Sequence, residues 1–277
     1  MTILRNGPHP GRRTRPGVTA AARPDTPAAT RPAAFLHRIR TAVQEFGIDV
    51  CRYPADPTGL RLVRLLRANE VDTVIDVGAY TGAYGNLLRR SGFRGRIVSF
   101  EPLPAPRAAL LHRTQADDAW TVEPYALGDT PGPALLNVAG DEGAASSVLP
   151  MLPRHREAVP GSAYVARQGV EVRRLDGLWE RVTAPGERIF LKLGVQGYEA
   201  HVLRGLGEYA DDIAGLQVAA SLVPLYAGGL GFDEALRLAR EELGLGLASV
   251  VPGLTDPRSG RLLQCSLVCF REQRTDV

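Results

Sequence analysis

At 277 residues the chain is long enough for one large α/β domain with a full core. Its net charge of +3 at pH 7, much of it in an arginine-rich N-terminal tail, offers no basic face, so no nucleic-acid partner is expected. No apolar run reaches the ~18 residues of a membrane span, no signal-peptide core is present and Arg12-Arg13 sits in no export signal, so no membrane partner is expected and the expected location is cytoplasmic.

Residues 1–31 are Arg, Pro, Thr and Ala with scarcely a large apolar side chain, which predicts a disordered tail. An N-terminal helical segment is expected over 32–70. Phe35, Leu36, Ile39, Val43 and Phe46 recur at helical spacing, and a second helix over 60–66 follows Asp56-Pro57-Thr58-Gly59. The α/β domain is placed at 71–277. It opens on Val74-Ile75-Asp76-Val77, an apolar β-rich run that turns on Gly78 and Gly82 into a helical pattern. A second run, Ile97-Val98-Ser99-Phe100, ends on Glu101, and the two complete one βαβ nucleotide-binding unit.

Beyond it a helix is expected over 105–114 and a strand over 120–127, with 131–138 as its hairpin partner. Residues 139–161 are polar, small and proline-punctuated, a loop long enough to be the candidate for acceptor binding, and its Ser146 and Ser147 hydroxyls are open to either cofactor or acceptor. Strands follow over 170–172, 189–193, 213–220, 246–251 and 262–270, with helices over 175–179, up to 206, and over 232–243. This alternation predicts an open α/β sheet. Cys51, Cys265 and Cys269 lack metal-ligand spacing, and no metal is expected.

An acid about 20 residues after such a glycine turn typically accepts hydrogen bonds from a ribose diol, and Glu101 stands at about that distance from Gly82. The Gly-x-x-x-Gly turn lacks the third glycine that lets a pyrophosphate sit on the helix N-terminus, which argues against NAD and FAD. S-adenosylmethionine (SAM) carries a ribose without a pyrophosphate and fits better. Its amino-acid end is expected against Gly78, Tyr80, Thr81 and Gly82, with Asp76 near the ammonium. The rest is expected against Glu101, Pro102, Ala126 and Leu127. The plainer alternative is that Asp76 and Glu101 only cap turns in a doubly wound sheet.

Seven collinear blocks extend the pattern: Asp76-Val77-Gly78-Ala79-Tyr80-Thr81-Gly82, Phe100-Glu101-Pro102-Leu103-Pro104, Ala126-Leu127-Gly128-Asp129, Leu191-Lys192, Gln196-Gly197-Tyr198-Glu199, Ser221-Leu222-Val223-Pro224-Leu225-Tyr226 and Gly260-Arg261-Leu262-Leu263-Gln264. Together they resemble the FkbM family of SAM-dependent methyltransferases over residues 71–271. The resemblance implies a Rossmann-like class I methyltransferase fold: a seven-stranded, mostly parallel sheet of order 3-2-1-4-5-7-6 with an antiparallel last strand, here preceded by N-terminal helices. It implies SAM as methyl donor, S-adenosylhomocysteine (SAH) as product, and a small-molecule acceptor with a hydroxyl, a secondary metabolite or sugar of bacterial biosynthesis. The assembly is open, a homodimer among the alternatives.

The chain departs from that family at three usually acidic positions, where it has Gly194, Ala219 and Ser266, and Tyr80 stands where Asn is usual. The three positions fall on neighbouring strands of the implied sheet, so one altered site is expected. Methyl transfer to a hydroxyl requires alignment and loss of a proton. With those acids gone, the candidate bases are His155, His201 and Glu199. Each histidine has a plainer role, as a solvated loop residue or a packing residue, and Lys192, the only lysine, reads as an ion-pair partner. Two functions therefore stand: an O-methyltransferase, or a SAM-binding protein whose methyl transfer has been lost or replaced by another reaction, such as cyclisation, or by regulatory binding.

Overall fold

The computed structural model describes residues 57–271; the expected tail and the helix over 33–46 lie outside them. The first described helix, α1 (Pro57–Ala68), begins on a proline, whose fixed φ and missing N–H suit a first turn. It buries Leu62, Val63 and Leu66 beside Val74, Ile97 and Phe190. Among the described residues no helix is long and apolar enough to cross a membrane.

Strand β1 (Thr73–Val77) is buried at every position, as a central parallel strand covered on both faces must be. It pairs in parallel with β2 (Arg96–Phe100) on one side and β7 (Ile189–Leu193) on the other. Helix α2 (Ala83–Arg90) links β1 to β2, and α3 (Pro104–Thr114) links β2 to β3 (Trp120–Glu123). With β8 (Ile213–Ser221), β9 (Leu245–Pro252) and β10 (Gln264–Arg271) the main sheet has seven strands in the order β3-β2-β1-β7-β8-β10-β9. Strand β10 runs antiparallel to both neighbours, so the order and the reversed last strand are those expected. The chain leaves β1 toward β2 but later adds β7 on the opposite side, and at such a reversal the carboxyl ends of the strands leave a crevice.

A second sheet was not expected. Strand β4 (Ala126–Leu127) pairs in parallel with β6 (Tyr164–Arg173), which pairs antiparallel with β5 (Gly132–Ala139). The expected strand over 120–127 breaks at Pro124, which has no N–H to give a ladder, and its last two residues join this other sheet. Residues 131–138 accordingly find their partner in β6 rather than in 120–127. Strand β6 is far longer than the expected 170–172 because Val165 to Gly169 are exposed and leave no apolar signal. The long loop contains α4 (Pro153–Ala158), and the helix over 232–243 is α7 (Phe232–Arg237) running on into a π-helical turn. Short helices α5 (Trp179–Val182) and α6 (Glu199–Arg204) complete the α-helices of the described residues, with 3₁₀ turns at Pro160–Ser162, Asp176–Leu178 and Gly207–Asp211.

Candidate functional site

A cleft of about 590 Å³, counted to its open mouth, lies at the carboxyl ends of β1, β2 and β7 and is walled on the far side by β4 and β5. Three strand ends supply its floor: Val77 and Gly78, then Phe100 to Leu103, then Gly194 to Gln196. Tyr125, Ala126, Leu127 and Tyr198 form one side, and Leu136, Gly143, Ala144, Ser146 and Val148 form a roof.

The floor is set by a strained turn. Gly78 has φ +71°, and a Cβ there would lie 2.3 Å from the carbonyl oxygen of Gly194, so only glycine lets β1 and β7 approach this closely. Tyr80 takes φ +51°, uncommon for a bulky residue, and the following Gly82 caps α2 at φ +82°. In return the Tyr80 amide donates to Glu101 Oε2 at 2.8 Å, and the Leu103 amide donates to Oε1 at 2.9 Å. Glu101 is 6% exposed, faces the cleft and still has lone pairs on both oxygens free. Burial raises its pKa, while the two amides and Lys192 act in the opposite sense.

Of the residues expected to hold SAM, Gly78, Tyr80, Glu101, Pro102, Ala126 and Leu127 line the cleft; Asp76, Thr81 and Gly82 do not. Asp76 was expected near an ammonium of the ligand and instead forms an ion pair with Lys192 Nζ at 2.8 Å, beneath the turn. It is wholly buried, and neither carboxylate oxygen receives a well-directed hydrogen bond, so the charge is balanced but the oxygens are under-satisfied. Lys192 also donates to the Gly78 carbonyl at 3.1 Å and lies over the Tyr84 ring, the structural role expected of it. Thr81 accepts Arg113 through its carbonyl, and Gly82 packs toward Leu110.

None of the three candidate bases lines the cleft. His155 is a buried residue of α4, 5% exposed, with Nδ1 3.0 Å from Ser162 Oγ and Nε2 3.2 Å from the Tyr226 hydroxyl. The Tyr226 hydroxyl donates to Gln196 Oε1 at 2.9 Å, and Gln196 Nε2 donates to the Ala144 carbonyl. His155 therefore anchors a polar chain that ties the roof to the turn after β7, and burial lowers its pKa. His201 stacks on Tyr198, with centroids 4.0 Å apart, and meets Asp129 at 3.0 Å, outside the cleft. Glu199 is buried behind the Gly194 to Tyr198 turn, where it accepts the Val195 amide, and desolvation pushes its pKa up to about 7.

The three positions expected to be altered share one face. Ala219 and Ser266 are directly opposed across β8 and β10, and Gly194 follows Leu193, the partner of Val218. Only Gly194 lines the cleft, and a Cβ there would come 2.9 Å from Lys192 Nζ. Among the described residues no group of three or more His, Cys, Asp or Glu side chains is placed to hold a metal. Tyr125, Tyr198, Val195 and Gln196 were missed as site residues, although Val195 and Gln196 directly follow a strand end at the sheet reversal, where ligands of such sheets bind.

Strand order, the antiparallel β10 and a crevice with a buried acid at the end of β2 define a class I, Rossmann-like methyltransferase fold. A family model described as the methyltransferase FkbM domain matches residues 76–242, and the chain belongs to that SAM-dependent methyltransferase family. No curated protein sequence matches the chain. Among solved structures it is similar to a protein from Thermobifida fusca described as a methyltransferase, at 13% identity over 78% of this chain and 79% of that one, with a TM-score of 0.47. A Klebsiella pneumoniae protein described as an O-methyltransferase aligns at 11% identity over 86% and 90%, TM-score 0.46. The Burkholderia thailandensis 1,6-didemethyltoxoflavin-N1-methyltransferase, crystallised with S-adenosylhomocysteine, aligns at 14% over 90% and 93%, TM-score 0.37. These overlaps are loose, and the fold rests on the strand order.

Proposed function

We propose that the cleft binds SAM and that the protein methylates a hydroxyl oxygen of a small molecule, a natural product or sugar, acting in the bacterial cytoplasm. Glu101 carries this reading: a buried carboxylate at the end of β2, fixed by two amides, with lone pairs left for a ribose diol. Gly78 and Tyr80 take the amino-acid end, and Pro102, Ala126 and Leu127 flank the base. The bound donor supplies an activated methyl group, and the chain contributes alignment beside Gly194 to Gln196.

The test has two parts. Calorimetry should show micromolar binding of SAM and SAH, and incubation of the full chain with methyl-labelled SAM and extracts of a strain lacking the gene should label a small molecule. Binding without label in any extract would favour the second reading, a SAM-binding protein that regulates a partner or guides another reaction. That reading is supported by the loss of acids at three positions that share one face.

A further inference from the structure

The fate of one proton narrows the acceptor, on the reading just given that the cleft methylates oxygen. Joining a methyl group to a neutral hydroxyl releases a proton, and a positioned base that takes it contributes roughly 10²- to 10⁴-fold. Among the described residues lining the cleft, the titratable side chains are Glu101, Tyr80, Tyr125 and Tyr198. Each Glu101 oxygen accepts one amide, and on the reading just given the lone pairs that remain are taken by the ribose diol. Burial raises the pKa of Tyr80, with Glu142, Asp141 and Glu101 adding to the rise, and burial also raises that of Tyr198, so neither phenol supplies a phenolate at neutral pH.

Groups just behind the wall are closed off. Glu199 points its carboxylate at backbone amides of the turn that separates it from the cleft. Among the described residues His155 is linked to the cleft through Tyr226 and the Gln196 carboxamide, and an amide is a poor proton carrier. The Lys192 ammonium is held by Asp76 and the Gly78 carbonyl. At the end of β7, where a side chain could face the reacting oxygen, Gly194 has none.

We infer that the acceptor ionises by its own acidity: a phenol or enol, not an alkyl or sugar hydroxyl. A phenol with a pKa of ~10 is about a thousandth ionised at pH 7. An alkyl hydroxyl, about as weakly acidic as water at ~15.7, is ionised to no useful extent. The proton leaves to solvent; the anionic oxygen then bonds to the methyl carbon as the carbon–sulfur bond breaks, and the electron pair departs on sulfur. Ser146 Oγ, which accepts the Ala139 amide, keeps its own proton to donate to such an anion at the roof.

The experiment presents the full chain and labelled SAM with phenol, a more acidic nitrophenol, an alkyl glycoside and cyclohexanol. The expected result is label in the phenols alone, with the rate rising tenfold per pH unit up to a break that moves with the acidity of each phenol. Label in the glycoside or cyclohexanol would overturn the inference while leaving methyl transfer intact. No label in either phenol while an extract is labelled on a non-ionising hydroxyl would overturn the inference alone, and no label in any probe or any extract, with SAM bound, would overturn both. A break that stays at one pH for both phenols, or a slope that flattens in Tyr80→Phe or in Tyr125→Phe, whose ring lies beside the Arg173 and Arg181 guanidinium groups, would reveal a protein base and also overturn it. A binding measurement gives an independent readout. When the nitrophenol binds the SAH-loaded protein, protons released to buffer should equal nitrophenolate formed by its absorbance, and a shortfall would show a protein group taking the proton.

Discussion

Glu101 joins the sequence pattern to the cleft through two hydrogen bonds: two amides fix its oxygens and leave the outer lone pairs to a ligand. In Glu101→Gln the charge is gone and one of the two amides faces an NH2 group. A hydrogen bond to a charged group contributes about 1.5–3 kcal/mol, so SAH should bind roughly 10- to 100-fold more weakly by calorimetry. Glu199 gives a different prediction, in pH. Its folded pKa of about 7 exceeds the usual 4.5, so ionising it is harder in the folded chain. Stability is therefore fully present below about pH 4.5 and falls as pH rises through 7, by about 3 kcal/mol. His155, whose pKa burial lowers, acts in the opposite sense, gaining stability as pH rises through about 6.5, but it is common to both proteins compared. Urea unfolding at pH 5 and pH 8 should show a smaller loss in Glu199→Gln than in the parent; equal losses would remove Glu199 as the cause.

The elements that shape the cleft differ in how plainly the sequence shows them. The β1 turn is legible: Val74 to Val77 is an unbroken apolar run, and its glycines stand where the backbone needs positive φ and close approach. In Gly78→Ala the new Cβ meets the Gly194 carbonyl at 2.3 Å, so strain of about 1–3 kcal/mol plus a shift of β7 should lower both urea midpoint and SAH affinity. The roof is not legible. Residues 139–161 carry no periodic apolar signal: Leu149, Met151, Ala158 and Val159 pack beside Leu225 and Tyr226, and polar ties do the rest, from Ser147 Oγ to the Gln196 carbonyl, Tyr226 to Ala145 and Gln196, and Gln196 to Ala144. Such pairings depend on contacts 30 to 81 residues apart, which local spacing does not encode. The same holds for the histidines, whose neighbours Tyr226 and Asp129 decide their roles. Tyr226→Phe removes the hydroxyl at the centre of these ties. The roof should then loosen, with SAH dissociating several-fold faster in stopped flow; an unchanged rate would mean the ties do not hold the roof over the ligand.

At the scale of the whole molecule, the alternation of strands and helices was enough to place an open sheet, and the seven blocks gave its order and antiparallel last strand. The second sheet escaped because Pro124 breaks one expected strand and most of β6 faces solvent. The sheet also brings the three positions expected to be altered side by side: β7, β8 and β10 are neighbours, with Ala219 opposite Ser266 and Gly194 one step beyond Leu193. In the triple variant Gly194→Asp, Ala219→Glu, Ser266→Asp, crowded carboxylates should raise one another's pKa values and lower the melting temperature. A divalent cation at a hundredfold excess over its Kd should restore about 2.7 kcal/mol. A melting temperature that magnesium, manganese and calcium all leave unchanged would separate the three positions. The central claim, that the crevice at the ends of β1, β2 and β7 is the SAM site, is tested most directly by a crystal structure of the protein with SAH. The account predicts both ribose hydroxyls within hydrogen-bond distance of the Glu101 carboxylate, with the base against Ala126 and Leu127. SAH bound elsewhere, or in the crevice with its ribose away from Glu101, would contradict it.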